Sequence, residues 1–319
     1  MVKSCVRKLA IALTISHSPH GLRFGRFGCP QGQAATPAAC FSKNDFKSQT
    51  HSGVGMMRSY LTKAAIALAM SHFAATAAFS QAVCQKYGPQ TPRDISSKAG
   101  TNPRSFALAG PSTSMNLCNI HFHAQAEHKG PGFSVSAGKG PHGGFKCNAG
   151  GKLTKAELTP PASDACKGLK PGDTIEVHWV YSSCDIAPGK GLGSCLSEQC
   201  SNPTLRVETQ VFLVVNSKSA ADFTKFDYAG KKSANGLHQP KSLPASTGRP
   251  VVFAGSTTGP SYTEQKCSPL QVTWSVRPQC AKVDINSLQK WCQSNAFAED
   301  HAHGVRDLVT SPALLSRIR

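Results

Sequence analysis

The sequence predicts a mainly β domain built around one large twisted sheet, with few short helices. Residues 174–181, 205–215 and 270–276 are rich in β-branched and aromatic residues, which favour extended strands. Helical periodicity is scarce, and glycine and proline interrupt the chain between these segments. Both observations favour a sheet protein over a helical one.

Shorter segments complete the predicted sheet. Residues 83–116 are polar and rich in turn-forming residues, which predicts an irregular arm laid over the core. Residues 117–123 alternate well enough for a strand. A short strand is predicted at 133–135, inside the glycine-rich loop 130–151, and another at 251–253.

The most apolar segment is predicted to lie in the middle of the sheet, because the end of 205–215 is apolar on both faces. One helix is predicted at 286–294, close to capping residues of the Asp and Asn type. The C-terminal region, 297–318, is expected to form one or two short helices broken at Pro312.

Residues 56–82 have the composition of a secretory signal peptide. A short basic stretch containing Arg58 precedes the alanine-rich apolar run 64–79, and small residues at Ser80 and Ala82 suit signal peptidase. The run is too short and too weakly apolar for a comfortable membrane span. We therefore expect cleavage near Ala82, a secreted or periplasmic protein, and no stable membrane insertion afterwards.

The expected domain boundaries follow from this signal peptide. Because a signal peptide belongs at the start of a translated chain, residues 1–55 are expected to be an over-extended reading frame or a disordered leader. A short structured module is the alternative for that stretch. Residues 83–319 then form one domain, of a size that buries a substantial core.

Cysteine usage supports an oxidising compartment. Ten of the thirteen cysteines fall after residue 82, and an even number behind a signal peptide predicts disulfides. No repeated Cys-x-x-Cys pair is present, which disfavours a zinc finger. Spacing does not assign the partners: Cys195 and Cys200 either close a small loop together or each reach a more distant cysteine.

The chain is basic, with a formal net charge of +18. Residues 83–319 keep 26 Lys and Arg against 16 Asp and Glu, a net charge of +10. The basic residues are scattered and no aromatic residues interleave them, so nucleic acid is not an expected partner. We interpret the charge as a soluble basic surface. The sequence does not indicate an oligomeric state.

Two histidine motifs carry the clearest chemical signal. Side chains alternate along a strand, so His121 and His123 share a face with Asn119, and Glu176 shares a face with His178. If the two strands are neighbours, three imidazoles converge. Three neutral histidines with one open position are the ligands of a catalytic zinc. Asn119 and Glu176 would then orient His121 and His178 through their outer ring nitrogens.

Several of these histidines have more ordinary interpretations. A His-x-His pair on one strand is more often a surface or hydrogen-bonded pair than a pair of ligands. His128, as a fourth ligand, would close the site and make the metal structural. His301 and His303 could form a second metal site, but residues two apart on a helix point away from each other. We therefore predict a solvated helix end at 299–303.

The run over residues 121–129, H-F-H-A-Q-A-E-H-K, resembles the signature of delta-class carbonic anhydrases, including their secreted bacterial members. The resemblance covers roughly residues 84–310. A fainter resemblance to the alpha class rests on five short blocks in the same order: N-I-H-F-H, A-E-H, E-V-H-W-V, G-S-T-T-G-P and V-T-W. Five blocks in order are much harder to obtain by chance than one.

The resemblance implies an alpha-carbonic-anhydrase-like fold with a large, mostly antiparallel sheet. It also implies that His121, His123 and His178 hold zinc, with Co²⁺ or Cd²⁺ as acceptable substitutes. Thr258 would accept a hydrogen bond from zinc-bound hydroxide and donate one to Glu127, which aims the hydroxide at the substrate.

The same resemblance implies an apolar pocket for carbon dioxide. Val180, Trp274 and a residue near Val211 or Leu213 would line this pocket. His128 would be a buried structural histidine rather than a ligand.

The chain departs from the alpha pattern in three ways. Glu127 lies only four residues after His123, so its role depends on a shortened loop. Thr257 remains an alternative to Thr258 as the hydroxide-orienting residue. No residue matches the alpha proton-shuttle histidine, and the open candidates are His142, His238, His301 and His303.

These expectations combine into one function: a secreted, zinc-dependent carbonic anhydrase, a lyase that interconverts carbon dioxide and bicarbonate. A metal-dependent esterase on the same scaffold is a second hypothesis. A non-catalytic, zinc-binding secreted protein is a third, in which His128 closes the coordination. The native metal stays open, because affinity alone does not choose between divalent metals.

Overall fold

The computed structural model of the protein describes residues 86–104, 106–258 and 261–319. The predicted leader, 1–55, and the predicted signal peptide, 56–82, lie outside these residues and stay predictions. Within the described ranges, no helix is both long enough and apolar enough to cross a lipid bilayer.

The described residues form ten strands, one α-helix and five short 3-10 turns. The strands are β1 (Asn116–Ala124), β2 (Val135–Gly138), β3 (Gly144–Lys146), β4 (Thr174–Ser182), β5 (Leu205–Val215), β6 (Tyr228–Lys232), β7 (His238–Pro240), β8 (Val251–Ser256), β9 (Gln271–Val276) and β10 (Ala281–Asp284). The helix α1 is Ile285–Gln293, and the 3-10 turns are Ser112–Ser114, Gly150–Lys152, Leu192–Cys195, Phe223–Lys225 and Pro312–Leu314.

Six strands form the central sheet, in the order β1-β4-β5-β9-β8, with β10 also beside β5. Strand β9 pairs with the first half of β5, and β10 pairs with its second half, both in parallel. The pairs β1-β4, β4-β5 and β8-β9 are antiparallel. The predicted mainly β fold with one large, mostly antiparallel sheet is therefore confirmed.

The strongest predicted segments match the observed elements closely. The segment 205–215 is β5, and it has neighbours on both sides, as its apolar character predicted. The helix predicted at 286–294 is α1, displaced by one residue. The short strand predicted at 133–135 is displaced further, because β2 begins at Val135 and pairs with β3.

The helices predicted over residues 297–318 are wrong. Only the 3-10 turn Pro312–Leu314 forms there, and the rest of the segment is irregular. Part of its backbone bonds instead to the distant strand β1: the His303 N–H donates to the Phe122 carbonyl, and the His303 carbonyl accepts from the Ala124 N–H, both at 2.8 Å. Because those partners are remote in sequence, the local residue pattern does not reveal them.

The central sheet separates two apolar clusters, and this separation decides where functional side chains lie. On β4, Val177 and Trp179 face the cluster that includes residues of α1. Val180 faces the opposite cluster. Because side chains alternate along a strand, Glu176 and His178 lie on the same face as Val180.

Four disulfides connect described residues: Cys118–Cys195, Cys147–Cys280, Cys166–Cys292 and Cys184–Cys200. Cys267 is disulfide-bonded as well. The prediction that the cysteines form disulfides therefore agrees with the structure. Cys195 and Cys200 each pair with a different cysteine, so they do not close a small loop together.

Candidate metal centre

The pairing of β1 with β4 brings the three predicted histidines together. His121 lies directly opposite His178 in the register of the two strands. The ring centroids of His121 and His178 are 5.0 Å apart, those of His121 and His123 are 5.1 Å apart, and those of His123 and His178 are 4.7 Å apart. One nitrogen from each ring lies within 4.8 Å of the others, close enough for all three to hold one metal ion.

Each ring has its other nitrogen bonded to an acceptor. His121 Nδ1 lies 2.6 Å from Asn119 Oδ1, and His178 Nε2 lies 2.8 Å from Glu176 Oε1. His123 Nδ1 lies 2.9 Å from the carbonyl oxygen at position 304. Because these oxygens accept, each of the three bonded nitrogens carries the proton.

The remaining nitrogens therefore present lone pairs to one another: Nε2 of His121, Nε2 of His123 and Nδ1 of His178. His121 Nε2 and His178 Nδ1 are 3.2 Å apart, with no proton left to share. His123 Nε2 is buried and has no hydrogen-bond partner among the described residues. Three converging lone pairs in a buried site are the arrangement that a divalent metal ion satisfies, so the residues fit such an ion.

Burial keeps two of these imidazoles in the neutral form that binds metal. It lowers the pKa of His121 well below its usual value, and the neighbouring imidazoles lower it further. Burial also lowers the pKa of His123, although Glu127 opposes this effect. Metal ligation requires an unprotonated nitrogen, and burial in the folded protein favours this neutral form in both rings.

Glu176 joins His178 to the predicted structural histidine, His128. Glu176 Oε1 lies 2.7 Å from His128 Nδ1, and Glu176 Oε2 accepts the His128 backbone N–H at 3.0 Å. Burial would raise the pKa of Glu176, but the two imidazoles overcome this and hold its pKa well below the usual range. His128 is fully buried. The three-histidine group does not include it, and it contacts His178 through Glu176.

A threonine and a buried carboxylate lie beside the three histidines. Thr258 Oγ1 donates to Glu127 Oε2 at 2.5 Å, and Glu127 Oε1 lies 3.5 Å from His123 Nδ1. Thr257 Oγ1 is bonded elsewhere, to Ser268 Oγ at 2.7 Å. Of the two threonines that the sequence leaves open, Thr258 is the one that contacts Glu127.

The short spacing between His123 and Glu127 is explained by one backbone conformation. Gln125 has a φ of 69°, in the left-handed region that side-chain-bearing residues seldom adopt. This residue follows the end of β1 and turns the chain sharply. The turn returns Glu127 to the site within four residues of His123.

The three histidines line a cavity of about 580 Å³. One wall is apolar and consists of Val180, Leu192, Leu205, Val207, Val272 and Trp274. Val180 and Trp274 line this cavity, whereas Val211 and Leu213 do not. The β4-β5 register explains the difference, because Val207 is opposite Val180 whereas Val211 is opposite Glu176. The cavity wall therefore includes Val207 and not Val211, and the assignment of this wall to carbon dioxide stays a prediction.

A second wall comes from the C-terminal segment and contains the polar residues Glu299, Asp300, His301 and His303. His303 Nε2 is 2.7 Å from Glu299 Oε1, and its ring centroid is 5.7 Å from that of His121. The hydrogen bond to Glu299 raises the pKa of His303. The predicted solvated helix end is therefore wrong. The segment places His301 and His303, two of the open proton-shuttle candidates, on the cavity wall together with Glu299, which the sequence did not single out as a site residue.

The four open proton-shuttle candidates fall into two groups according to whether they line the cavity. His301 and His303 line the cavity, whereas His142 and His238 do not. His238 is on β7, where its Nδ1 lies 2.7 Å from Tyr228 Oη. The dense ionisable residues at 299–303 were the sequence signal for this polar wall. The signal was misread because a helix was predicted there, and residues two apart on a helix point in different directions.

The chain is similar to one protein family and to solved structures of carbonic anhydrases. A family model described as Delta carbonic anhydrase matches residues 112–287, more than half of the chain. A search of curated proteins found no match. Among solved structures, a hyperthermostable carbonic anhydrase from an active hydrothermal vent chimney is 13% identical, with a TM-score of 0.24, covering 72% of this chain and 92% of its own. The alpha-carbonic anhydrase from Thermovibrio ammonificans in complex with the inhibitor sulfanilamide is 16% identical, with a TM-score of 0.25, covering 72% and 91%.

Proposed function

The chain belongs to the delta carbonic anhydrase family, and from this membership we propose that it is a zinc-dependent carbonic anhydrase that interconverts carbon dioxide and bicarbonate. One observation carries the proposal: three imidazole lone pairs converge in a cavity that also contains the hydrogen bond from Thr258 to Glu127. A cation site beside an oriented hydroxyl group suits the addition of a water-derived nucleophile to a small substrate.

His121, His123 and His178 would hold the metal through Nε2, Nε2 and Nδ1, respectively. Neutral imidazoles suit zinc, and Co²⁺ or Cd²⁺ can occupy the same donor set. When bound, zinc supplies a polarised water whose pKa is about 7, so a nucleophile is available at neutral pH.

Two side chains and one carbonyl orient these rings. Asn119 accepts from His121, Glu176 accepts from His178, and the carbonyl oxygen at position 304 accepts from His123. Each acceptor fixes which ring nitrogen carries the proton, so each lone pair points inward before any metal binds.

Thr258 and Glu127 control the direction of attack. Because the Thr258 hydroxyl already donates its hydrogen bond to Glu127, its oxygen can only accept a hydrogen bond from a further group in the cavity. A nucleophile that still carries one hydrogen must donate that hydrogen to Thr258, which turns its free lone pair toward the substrate.

The two walls of the cavity divide the remaining tasks. The apolar wall around Val180, Val207 and Trp274 holds carbon dioxide, which has no charge and gains little from polar neighbours. The polar wall offers the released proton a way toward solvent. His303 lies on that wall beside His121, and its side chain is 41% exposed.

The proposed location is outside the cytoplasm, in the medium or the periplasm, after cleavage near Ala82. The disulfides of the described residues suit an oxidising compartment. Residues 83–319 would be the catalytic domain, with residues 56–82 as the signal peptide.

The proposal is tested by metal analysis and a hydration assay on protein made in an oxidising compartment. We expect about one zinc per chain, as a mononuclear three-histidine site requires. His121→Ala and His178→Ala should each lose zinc and carbon dioxide hydration. His142→Ala is the matched control, because His142 is exposed and lies outside the cavity. Folded wild-type protein that takes up no zinc, or zinc-loaded protein that hydrates no carbon dioxide, would contradict the proposal.

Metal-dependent ester hydrolysis is the second candidate. The cavity of about 580 Å³ is large enough for a substrate far bigger than carbon dioxide. Hydrolysis of a nitrophenyl ester without carbon dioxide hydration would favour this alternative. The third hypothesis, a closed non-catalytic metal site, required His128 as a fourth ligand, but His128 is not among the three histidines whose nitrogens lie within 4.8 Å of one another.

A further inference from the structure

A loop tied by a disulfide forms part of the cavity wall. We define the wall loop as residues 189–195, which includes the 3-10 turn Leu192–Cys195. Residues 190–192 line the cavity. Cys195, at the end of the wall loop, is bonded to Cys118 of β1. The wall loop is thus attached covalently to the strand that carries two of the three histidines.

Hydrogen bonds hold the wall loop in place beside β1. The backbone N–H of Gly189 donates to the Cys118 carbonyl at 3.0 Å. The Ser194 hydroxyl lies 2.8 Å from the same carbonyl oxygen and 2.7 Å from the Gly191 carbonyl oxygen, and the Ser182 hydroxyl of β4 donates to the Cys195 carbonyl at 2.8 Å. These contacts place the Gly189 carbonyl at a defined position next to β1.

Asn119 joins that carbonyl to His121. Its Nδ2 donates to the Gly189 oxygen at 2.9 Å, and its Oδ1 accepts from His121 Nδ1 at 2.6 Å. Asn119 is almost fully buried, with 1% exposure. A carbonyl oxygen only accepts, so the amide must point its NH₂ group at Gly189 and its oxygen at His121.

We propose that the wall loop, held by the Cys118–Cys195 disulfide, sets the tautomer of the metal-facing ring of His121 through Asn119. Without the Gly189 carbonyl, the Asn119 amide could rotate and offer either its oxygen or its NH₂ group to His121. The opposite orientation would move the ring proton to Nε2 and cancel the inward lone pair. Gly189, Asn119 and the disulfide are therefore positioning elements. The inference rests on the proposed function only in taking His121 as a metal ligand.

The proposal predicts a specific rescue by a carboxylate. Asn119→Asp replaces an amide that can point either way with a group that, when ionised, only accepts. In that variant, His121 keeps its proton on Nδ1 whether or not the wall loop is held. Removing the disulfide should therefore disturb the tautomer when residue 119 is Asn and leave it unchanged when residue 119 is Asp.

The first measurement uses metal-free protein, so it is independent of zinc and of catalysis. Long-range ¹⁵N–¹H NMR identifies which nitrogen of His121 carries the proton. We expect a single Nδ1–H tautomer in the wild type, mixed tautomers in Cys118→Ala/Cys195→Ala, and the single tautomer again when Asn119→Asp is added. The control is Cys147→Ala/Cys280→Ala, which removes a disulfide outside the wall loop and should leave the His121 tautomer unchanged.

The second measurement is zinc affinity, by competition with a chelator. Loss of an outer-ring partner typically weakens metal binding about 10–100-fold, so Cys118→Ala/Cys195→Ala should bind zinc about tenfold more weakly than wild type. Adding Asn119→Asp should return the affinity to within about threefold of the variant that carries Asn119→Asp alone.

Three results would overturn the inference: a disulfide-free chain that keeps the single tautomer, mixed tautomers in the Asn119→Asp background, or mixed tautomers in the Cys147→Ala/Cys280→Ala control. Should the disulfide-free chain fail to fold, Ser194→Ala replaces it, because this variant removes the hydroxyl that contacts the Cys118 and Gly191 carbonyls and keeps the disulfide. Ser194→Ala must then show mixed tautomers of His121, and adding Asn119→Asp must restore the single Nδ1–H tautomer. A wild type that shows the Nδ1–H tautomer but no zinc binding would contradict the proposed function and not this inference.

Discussion

Three different acceptors orient the three histidines, and they differ in how visible they are in the sequence. Asn119 and Glu176 each lie two residues before the histidine that they contact. Strand alternation therefore predicts both contacts. The acceptor for His123 is a backbone carbonyl in the C-terminal segment. Every residue has such a carbonyl, so no residue type indicates it.

At the same scale, the two adjacent threonines are predicted to differ sharply on substitution. Thr258→Val removes the hydroxyl that bonds to Glu127, and misorientation at the reacting centre should lower kcat/KM by about 10²-fold. Thr257→Val removes only the bond to Ser268, which should cost about 1 kcal/mol of stability and leave most of the activity. Steady-state hydration kinetics and urea unfolding measure both effects.

The same pair of variants would also show whether Thr257, and not Thr258, orients the nucleophile. Equal loss of activity in the two variants, or a larger loss in Thr257→Val, would show that contact with Glu127 does not select the orienting residue. Zinc content is measured in parallel, so that loss of the metal is not mistaken for loss of orientation.

At the scale of elements, the turn after β1 has the clearest local requirement. Gln125 has a left-handed backbone, and its Oε1 is buried without a hydrogen-bond partner among the described residues. Glycine adopts this conformation without steric cost, whereas a β-branched residue is strongly disfavoured there. We therefore expect the residue type at position 125 to affect the position of Glu127.

We expect Gln125→Gly to keep or raise the free energy of unfolding and to retain activity. Gln125→Val should lower the free energy of unfolding, because a β-branched side chain is disfavoured in the left-handed region more strongly than the unbranched glutamine that occupies it now, and it should reduce activity by moving Glu127. Gln265→Val is the control, because Gln265 is exposed and has no positive φ. Urea denaturation of the three variants decides the point, and a stable Gln125→Val would contradict it.

The C-terminal segment illustrates an element that its own residues do not specify. Glu299 and His303 are four apart, a spacing that also suits one face of a helix. The structure places them on an irregular strand-like segment beside β1, where His303 pairs with His123. The competing interaction is the unpaired edge of β1, because its backbone groups are satisfied only by a distant part of the chain.

At the scale of the whole molecule, burial of the site makes stability depend on pH. Burial lowers the pKa of His121 and His123, so below about pH 6.5 the unfolded chain binds more protons than the folded chain. The stability gained by keeping these two histidines neutral is fully present above the unfolded pKa of about 6.5. It is lost as the pH falls toward the folded pKa values, by up to about 1.4 kcal/mol per pH unit for each histidine.

Urea unfolding of metal-free protein at about pH 7 and about pH 5 tests this dependence. We expect lower stability at the acidic value, and a smaller difference in His121→Asn/His123→Asn. His142→Asn should behave like the wild type, because His142 is exposed. Equal stability at both pH values in the wild type would show that the two imidazoles are not held neutral by burial.

The sequence by itself determined the β class, the strongest strands and which histidines share a face. These properties follow from residue type and from the two-residue period of a strand, which are local. That is why β4, β5 and the face shared by His121 and His123 could be predicted from short segments.

Only the tertiary structure decided which strands are neighbours and which distant groups complete the site. The register of β1 against β4 places His178 opposite His121, and that of β4 against β5 selects Val207 over Val211. The cysteine pairs and the position of the C-terminal segment depend on contacts between residues far apart in sequence. Such contacts are set by the packing of the whole chain, because each partner alone fits several alternatives.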